Sequence, residues 1–255
     1  MVRAVLKQSK TELVVSHLSG LPFVEAPVWR LDLSEAHVTR SDQKAGRREA
    51  GVRQHRGLIL PGDVVDRQGV KVMHPTRLCL EVTAVAGIEE SLVVANDLLH
   101  RRMTTLERLQ ERYIRGISHW EGTRSTEVVL RLASPDIESV GETRTYFLCW
   151  SEHLPKPIPN FEIHDERGQL VARVDFAWPE LGVFLEFDGK VKYQKHLREG
   201  ESVTDAVLRE KRREELICEI TGWRCIRIVW ADLERPAHTA ARIRRLFRAP
   251  SSNLA

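Results

Sequence analysis

Four charged residues lie in a segment that otherwise has the pattern of two core strands: Asp175, Glu186, Asp188 and Lys190, within LVARVDFAWPELGVFLEFDGKVKY. Side chains alternate between the two faces of a strand, so Glu186 and Asp188 share one face of the second strand. A turn at WPELG would bring Asp175 of the first strand roughly across from Glu186. Three carboxylates so close repel one another unless a cation lies between them, which predicts a site for a hard divalent metal.

Such a metal would activate water and neutralise the charge that builds on a phosphodiester under attack. Lys190, just past the strand end, is placed to donate to the same charge. The alternative is that Arg173 and Lys190 pair with the acids on a solvated face of the sheet, an arrangement of small energy. The hairpin alone favours this alternative.

The elements that position these acids form a mixed α/β domain, expected over residues 121–255. The pattern predicts a helix in ESVGETRTYFLCWSEH, three strands (Phe161 to His164, Leu170 to Ala177, Gly182 to Asp188), a helix in DAVLREKRREELICEI, a strand in CIRIVWA and a basic helix from about Pro236 to Phe247. Glu142 lies near the start of the first helix, where an acid ordinarily complements the helix dipole.

A smaller α+β domain is expected over residues 1–120, in agreement with a length that favours two domains. Short strands are predicted in VWRLDLS and from Val52 to Leu60, and a hairpin in DVVDRQGVKVM. Helices are predicted from Pro75, through GIEESLVVANDLLHRR, and in TLERLQERYIRG. Thr104 is the expected N-cap of the last helix, with Glu107 completing a capping box.

The bulk composition is that of a globular protein, with 42% hydrophobic and 29% charged residues. A net charge of +3 does not by itself indicate a nucleic-acid partner. The four cysteines form no Cys-x-x-Cys pair, and no apolar run is long enough to cross a membrane. We therefore expect a cytoplasmic protein with no membrane partner.

The order of the acids, with a helix Glu, a strand Asp and then Glu-x-Asp ending a second strand, resembles the PD-(D/E)XK nuclease superfamily. The resemblance is closest to its branch of very-short-patch-repair-endonuclease-like domains, and it extends from about Glu138 to Phe247 through ESVGETR, RVDFAWPELGVFLEFDGKVKY, EKRREE and TGWRCIRIVWADL. It implies a restriction-endonuclease-like fold with a central mixed sheet flanked by helices.

The resemblance also implies residue roles. Asp175 and Glu186 would hold Mg²⁺ or Mn²⁺, and Glu142 would orient a metal-bound water. The superfamily pattern has Lys where this chain has Asp188, so Lys190 and Lys192 are the expected substitutes, with Lys211 a third candidate.

Basic residues toward the C-terminus are the expected contacts to DNA phosphates. They lie on two predicted helices: Lys211, Arg212 and Arg213 on the first, and Arg242, Arg244, Arg245 and Arg248 on the second. On the first helix, Glu210, Glu214 and Glu215 are expected to pair with at least half of the charges. The second lacks acidic neighbours along the helix.

The N-terminal half resembles, through VVSHLSGLP and GLILPGDVVDRQGVKVMHPTRLCLEV, the region that precedes this domain in actinobacterial proteins related to AbiEi-type antitoxins. Those relatives usually begin with a winged helix, which this chain is expected to lack. His17, His55 and His74 are too scattered in sequence to suggest a metal, and we expect them to be ordinary surface or hydrogen-bonded residues.

The leading hypothesis is a divalent-metal-dependent DNA nuclease, acting in DNA repair or phage defence. The alternative is a catalytically silent nucleic-acid-binding regulator of toxin–antitoxin or defence type, which uses the nuclease fold as a scaffold. A homodimer and a protein partner for the N-terminal region are further expectations.

Overall fold

In the computed structural model the chain divides into two compact units, Met1–Val140 and Gly141–Ala255. The structure describes residues 1–42, 44, 46–120, 123–189 and 202–248, without the side chains of Val203, Ala206, Val207 and Arg248. Both units combine helices with a mixed sheet, so the predicted mixed α/β class is confirmed.

The N-terminal unit contains a six-stranded sheet in the order β3-β4-β2-β1-β6-β5. Its strands are β1 Leu13–Val15, β2 Ala36–Arg40, β3 Arg48–Glu49, β4 Val52–His55, β5 Val64–Arg67 and β6 Val70–Met73. Strands β5 and β6 form the antiparallel hairpin that DVVDRQGVKVM predicts, with Val64 opposite Met73. The central strands β1 and β2 are buried along their whole length, so the core of this unit lies against them.

Six helices of the described chain belong mainly to this unit: α1 Val2–Gln8, α2 His17–Gly20, α3 Pro75–Val82, α4 Ile88–His100, α5 Leu106–Ile114 and α6 Thr123–Leu132. Helix α6 packs against α4 and α5. For this reason the unit extends to Val140, past the expected boundary at residue 120, and is the longer of the two units.

Two local predictions in this unit are wrong. The segment VWRLDLS has no strand, and the strand β2 begins two residues after it. The N-cap of α5 is Thr105, whose side chain accepts from the Arg108 N–H, and not Thr104. Thr104 is buried, and its hydroxyl bonds that of Thr76 at 2.8 Å.

The C-terminal unit contains a four-stranded sheet in the order β10-β9-β8-β7. Its strands are β7 Ile158–His164, β8 Leu170–Trp178, β9 Val183–Asp188 and β10 Arg224–Val229, and its helices are α7 Val140–Ser151, α8 Val203–Thr221, α9 Trp230–Leu233 and α10 Pro236–Arg248. Strands β7, β8 and β9 are antiparallel neighbours, and β10 joins β9 in parallel. The three predicted strands and the helices around them are confirmed within a few residues.

Helices α7 and α8 cover opposite faces of this sheet. Tyr146 of α7 stacks on Phe176 with ring centroids 6.1 Å apart. On the other face, Ile217 of α8 belongs to the core cluster that contains Phe184 and Val174. Simple alternation predicted that Val174 and Phe176 share a face, so alternation does not hold along all of β8. The acids of β8 and β9 therefore lie in a sheet that is covered on both sides.

Gly141, at the start of α7, allows the close approach of this helix to the sheet, because a Cβ at this position would lie 1.9 Å from Phe187 Cε1. We expect Gly141→Ala to destabilise the C-terminal unit by roughly 1–3 kcal/mol through overpacking. Thermal unfolding followed by circular dichroism measures the loss. Phe187→Leu has a shorter side chain, so the double variant should recover part of the stability that Gly141→Ala loses. Strictly additive changes in the free energy of unfolding would contradict the contact between the two positions.

No helix within the described ranges is both long and apolar enough to span a membrane.

Candidate active site

Asp175 and Glu186 lie side by side where the β8–β9 ladder ends. The ladder pairs Trp178 with Val183 and Phe176 with Leu185, so Asp175 is next in register to Glu186, as we predicted. At this point the Phe187 N–H of β9 bonds to a side chain of β8 and not to its backbone: it donates to Asp175 Oδ2 at 2.7 Å. This bond fixes the Asp175 carboxylate beside β9.

Glu186 is a buried acid, 9% exposed, with charges on both sides. Burial and then the charge of Asp175 raise the pKa of Glu186 to about 7, although Arg213 acts in the opposite direction. Arg213 of α8 donates to Glu186 Oε1 at 3.0 Å, and its guanidinium also donates to the Arg173 carbonyl. Arg227, opposite Glu186 in the β10 ladder, pairs with Glu214 at 2.6 Å. The site is thus a pair of adjacent carboxylates with an arginine on one of them.

Glu142 is also buried, at 6% exposure, in the first turn of α7. It directly follows Gly141, which packs closely against Phe187. Phe187 is the residue after Glu186 on β9. Helix α7 covers the face that carries Phe176, whereas Arg213 approaches Glu186 from α8. The structure therefore places Glu142 next to the strand that carries Glu186, on the helix of the other face.

The expected convergence of three carboxylates is not observed. In the part of the chain that the structure describes, the acids of β8 and β9 do not form a group of three metal-ligating side chains, and Asp188 lies opposite Val229 at the end of the ladder. Glu186 bonds instead to Arg213 of α8, which donates to its Oε1 at 3.0 Å. Lys190 and Lys192 lie outside the described residues.

The two remaining acids still fit Mg²⁺ or Mn²⁺, because these cations take one or two carboxylates and complete their shell with water and phosphate oxygens. The charge of Asp175 adds to burial in raising the pKa of Glu186, and a divalent cation between the two carboxylates would relieve that part of the shift. Asp175 and Glu186 would hold the metal, and the metal would compete with Arg213 for Glu186.

We expect Arg213→Gln to raise the pKa of Glu186 beyond its present value of about 7, because burial and the charge of Asp175 remain when the guanidinium is removed. A carboxyl group with a raised pKa binds its proton more tightly in the folded state, so stability falls as the pH rises from about 4.5 to about 7. The variant should steepen this fall. A carbon-detected NMR titration of the glutamate carboxyl groups and pH-dependent unfolding measure the two effects.

Arg212→Gln is the matched control, because Arg212 is the exposed neighbour of Arg213 on the same helix. It should leave the titration of Glu186 unchanged. A pKa that falls in Arg213→Gln would contradict the assigned ion pair.

The basic residues expected to contact DNA have mixed surroundings. Arg242 pairs with Asp232 of α9 at 2.5 Å, and Arg244 donates to the Glu152 carbonyl. The expectation that the second basic helix lacks acidic partners is therefore wrong for Arg242, because its partner comes from the preceding short helix. Arg245 is exposed.

On α8 the expected pairing along the helix is observed. Lys211 lies 3.9 Å from Glu215, and Arg213 lies 3.5 Å from Glu210 as well as bonding Glu186. Arg212 is exposed between them. Among the described side chains of α8 and α10, the exposed cations are Lys211, Arg212 and Arg245.

A second cluster, of three histidines in the N-terminal unit, was missed by sequence reasoning. One ring nitrogen from each of His17, His37 and His55 lies within 4.8 Å of those of the other two. His17 and His55 were expected to be ordinary scattered residues, and His37 was not singled out. All three of the histidines singled out in the sequence are hydrogen-bonded, as expected, but His17 and His55 are not scattered in the fold. The three clustered histidines come from α2, β2 and β4, and their meeting depends on sheet pairing that no local spacing reveals.

Comparison with known proteins gives limited information. The chain is 31% identical over 125 residues to two uncharacterized proteins of Mycobacterium tuberculosis, MT2308 and Rv2248, and the match covers 49% of this chain and 42% of each relative. The chain thus matches less than half the length of these curated relatives. No family model matches the chain, and no solved structure matches it.

Proposed function

We propose that the C-terminal unit is a divalent-metal-dependent nuclease that hydrolyses phosphodiester bonds in DNA. The observation that carries the proposal is the adjacent pair of carboxylates, Asp175 and the buried Glu186, in which burial and then the charge of Asp175 raise the pKa of Glu186 to about 7. Strongly perturbed acids that face one another are typical of sites that bind a metal or perform acid–base chemistry. The order of Glu142, Asp175 and Glu186 along the chain, with its resemblance to the PD-(D/E)XK superfamily, supports the same reaction.

Each residue has a role in this proposal. Asp175 and Glu186 hold Mg²⁺ or Mn²⁺, which when bound supplies an activated water and neutralises charge on the phosphodiester. Glu142 would orient the water that the metal supplies. Lys190 or Lys192 donates to the phosphate, and Asp188 stands at the position where the superfamily has Lys. Lys211, Arg212 and Arg245 contact the DNA backbone, with Arg213, Arg242 and Arg244 in supporting positions.

A second candidate is a catalytically silent DNA-binding regulator of toxin–antitoxin or defence type. The specific observation that favours it is the 3.0 Å bond from Arg213 to Glu186, because an arginine already neutralises the acid that a metal would need. In either case we propose a cytoplasmic protein with DNA as its partner, and with a homodimer or a protein bound to the N-terminal unit as further assemblies.

The two candidates are separated by incubating the full chain with supercoiled plasmid and with a labelled single strand, under Mg²⁺, Mn²⁺ or EDTA. Metal-dependent cutting of either substrate supports the nuclease. Salt-sensitive DNA binding without cutting under either metal would overturn it in favour of the silent regulator.

A further inference from the structure

We infer that His17, His37 and His55 form a site for a divalent transition metal, Zn²⁺ above all, in the N-terminal unit. The inference is independent of the proposed nuclease site, which uses oxygen ligands in the other unit. Imidazole nitrogens suit Zn²⁺, whereas Mg²⁺ prefers oxygen ligands. Three histidines and one water would complete a tetrahedral shell.

The distances within the cluster suit a shared metal. His55 Nε2 lies 3.0 Å from His37 Nδ1, at the distance of a hydrogen bond between two rings. Two nitrogens bound to one tetrahedral zinc at about 2.0–2.1 Å lie roughly 3.3 Å apart. A metal in place of the shared proton would therefore require only a small separation of these two rings.

His17 supplies the third nitrogen, which lies within 4.8 Å of those of His37 and His55. Its ring stacks on that of His55 with centroids 3.5 Å apart, so a tilt of the His17 ring is needed to direct a nitrogen at the same point. Its Nδ1 lies 3.0 Å from Ser16 Oγ and 3.5 Å from Glu81 Oε2. These contacts leave Nε2 as the ligand atom.

Glu81 gives the cluster the carboxylate that commonly orients a metal-bound histidine. It is fully buried, and its Oε2 also accepts from the His17 backbone N–H at 3.0 Å. Arg77 holds the other oxygen of Glu81 at 2.8 Å. The carboxylate of Glu81 is thus fixed before any metal arrives.

The backbone supports the same arrangement. His17 has φ of 50°, in the left-handed region that non-glycine residues rarely adopt. His37 of β2 pairs with Arg53 of β4, and His55 lies two residues after Arg53 on the same strand. This register fixes the separation of His37 and His55.

The test uses the full chain, stripped with EDTA and then dialysed against Zn²⁺, with bound zinc measured by elemental analysis and affinity by competition with a chromophoric chelator. We expect about one zinc per chain at the histidine site. His37→Gln and His55→Gln should each weaken the affinity at least roughly a hundredfold. His119→Gln, at an exposed histidine of the same unit, should leave it unchanged.

The Asp175→Ala, Glu186→Ala double variant separates the two metal sites, because it should lose any metal held by the carboxylates and keep the zinc of the histidines. Where a histidine variant does not fold, the wild-type chain loaded with Co²⁺ provides the second measurement, and four-coordinate visible bands support the site. Absence of bound zinc and of such bands in the wild type would overturn the inference, and so would zinc binding that survives in the folded histidine variants.

Discussion

Asp175→Asn should reduce metal-dependent DNA cleavage by at least roughly a thousandfold, because a bound metal contributes several kcal/mol to the transition state and each 1.4 kcal/mol is about tenfold in rate. The amide keeps the size of the side chain, and its oxygen still accepts from the Phe187 N–H, so the end of the ladder is preserved. What is removed is the negative charge. Initial rates of plasmid nicking under Mg²⁺ measure the effect.

The same variant has a second readout that does not depend on activity. Since the charge of Asp175 helps to raise the pKa of Glu186, Asp175→Asn should lower that pKa. Glu180→Gln is the matched control, because Glu180 is an exposed acid in the 3-10 turn between β8 and β9. Its cleavage rate should equal that of the wild type. Undiminished cutting by Asp175→Asn, with the pKa of Glu186 lowered, would show that the carboxylate pair is not the catalytic site.

Asp63→Ala should destabilise the N-terminal unit by about 3–5 kcal/mol, the cost of leaving a buried charge without its partner. Arg112 donates to both Asp63 oxygens, at 2.8 and 2.7 Å, and Arg77 lies 3.5 Å from one of them. All three side chains are buried. Burial alone would raise the pKa of Asp63, but the bonds from Arg112 and from the Leu60 N–H lower it overall.

Thermal or urea unfolding followed by circular dichroism tests this prediction, with the transition of the N-terminal unit compared between variants. Glu111→Ala is the control, because its pair with Arg115 at 3.1 Å is about two-thirds exposed on both sides. The control should change stability by less than about 1 kcal/mol. Equal effects in the two variants would mean that the buried arginines do not depend on Asp63.

Local patterns predicted the parts of the fold whose partners are near in sequence. The β5–β6 hairpin, α4 and the β8–β9 hairpin are each formed by one continuous segment of the chain, and the turn between Asp175 and Glu186 is short enough to set their register. The N-cap of α5 lies one residue later than predicted, because the Thr104 hydroxyl bonds the hydroxyl of the buried Thr76 and Thr105 caps the helix.

Long-range contacts account for what sequence reasoning did not find. The sequence contains no local sign that Arg213 reaches Glu186, that Asp232 holds Arg242, or that α6 joins the N-terminal unit. The histidine cluster is the clearest case, since His17 and His37 belong to segments that meet only when β1 pairs with β2. The roles of Glu142, Asp175 and Glu186 in catalysis, and those of the lysines, stay predictions.

The number of residues between the hydrogen-bonded partners of the carboxylate site implies an order in which these contacts form during folding. Asp175 meets the Phe187 N–H across 12 residues, whereas Arg213 reaches Glu186 across 27. Closing the shorter loop costs less chain entropy, so the hairpin forms ahead of the docking of α8. We therefore expect the two acids to face each other during folding before the guanidinium of Arg213 reaches Glu186.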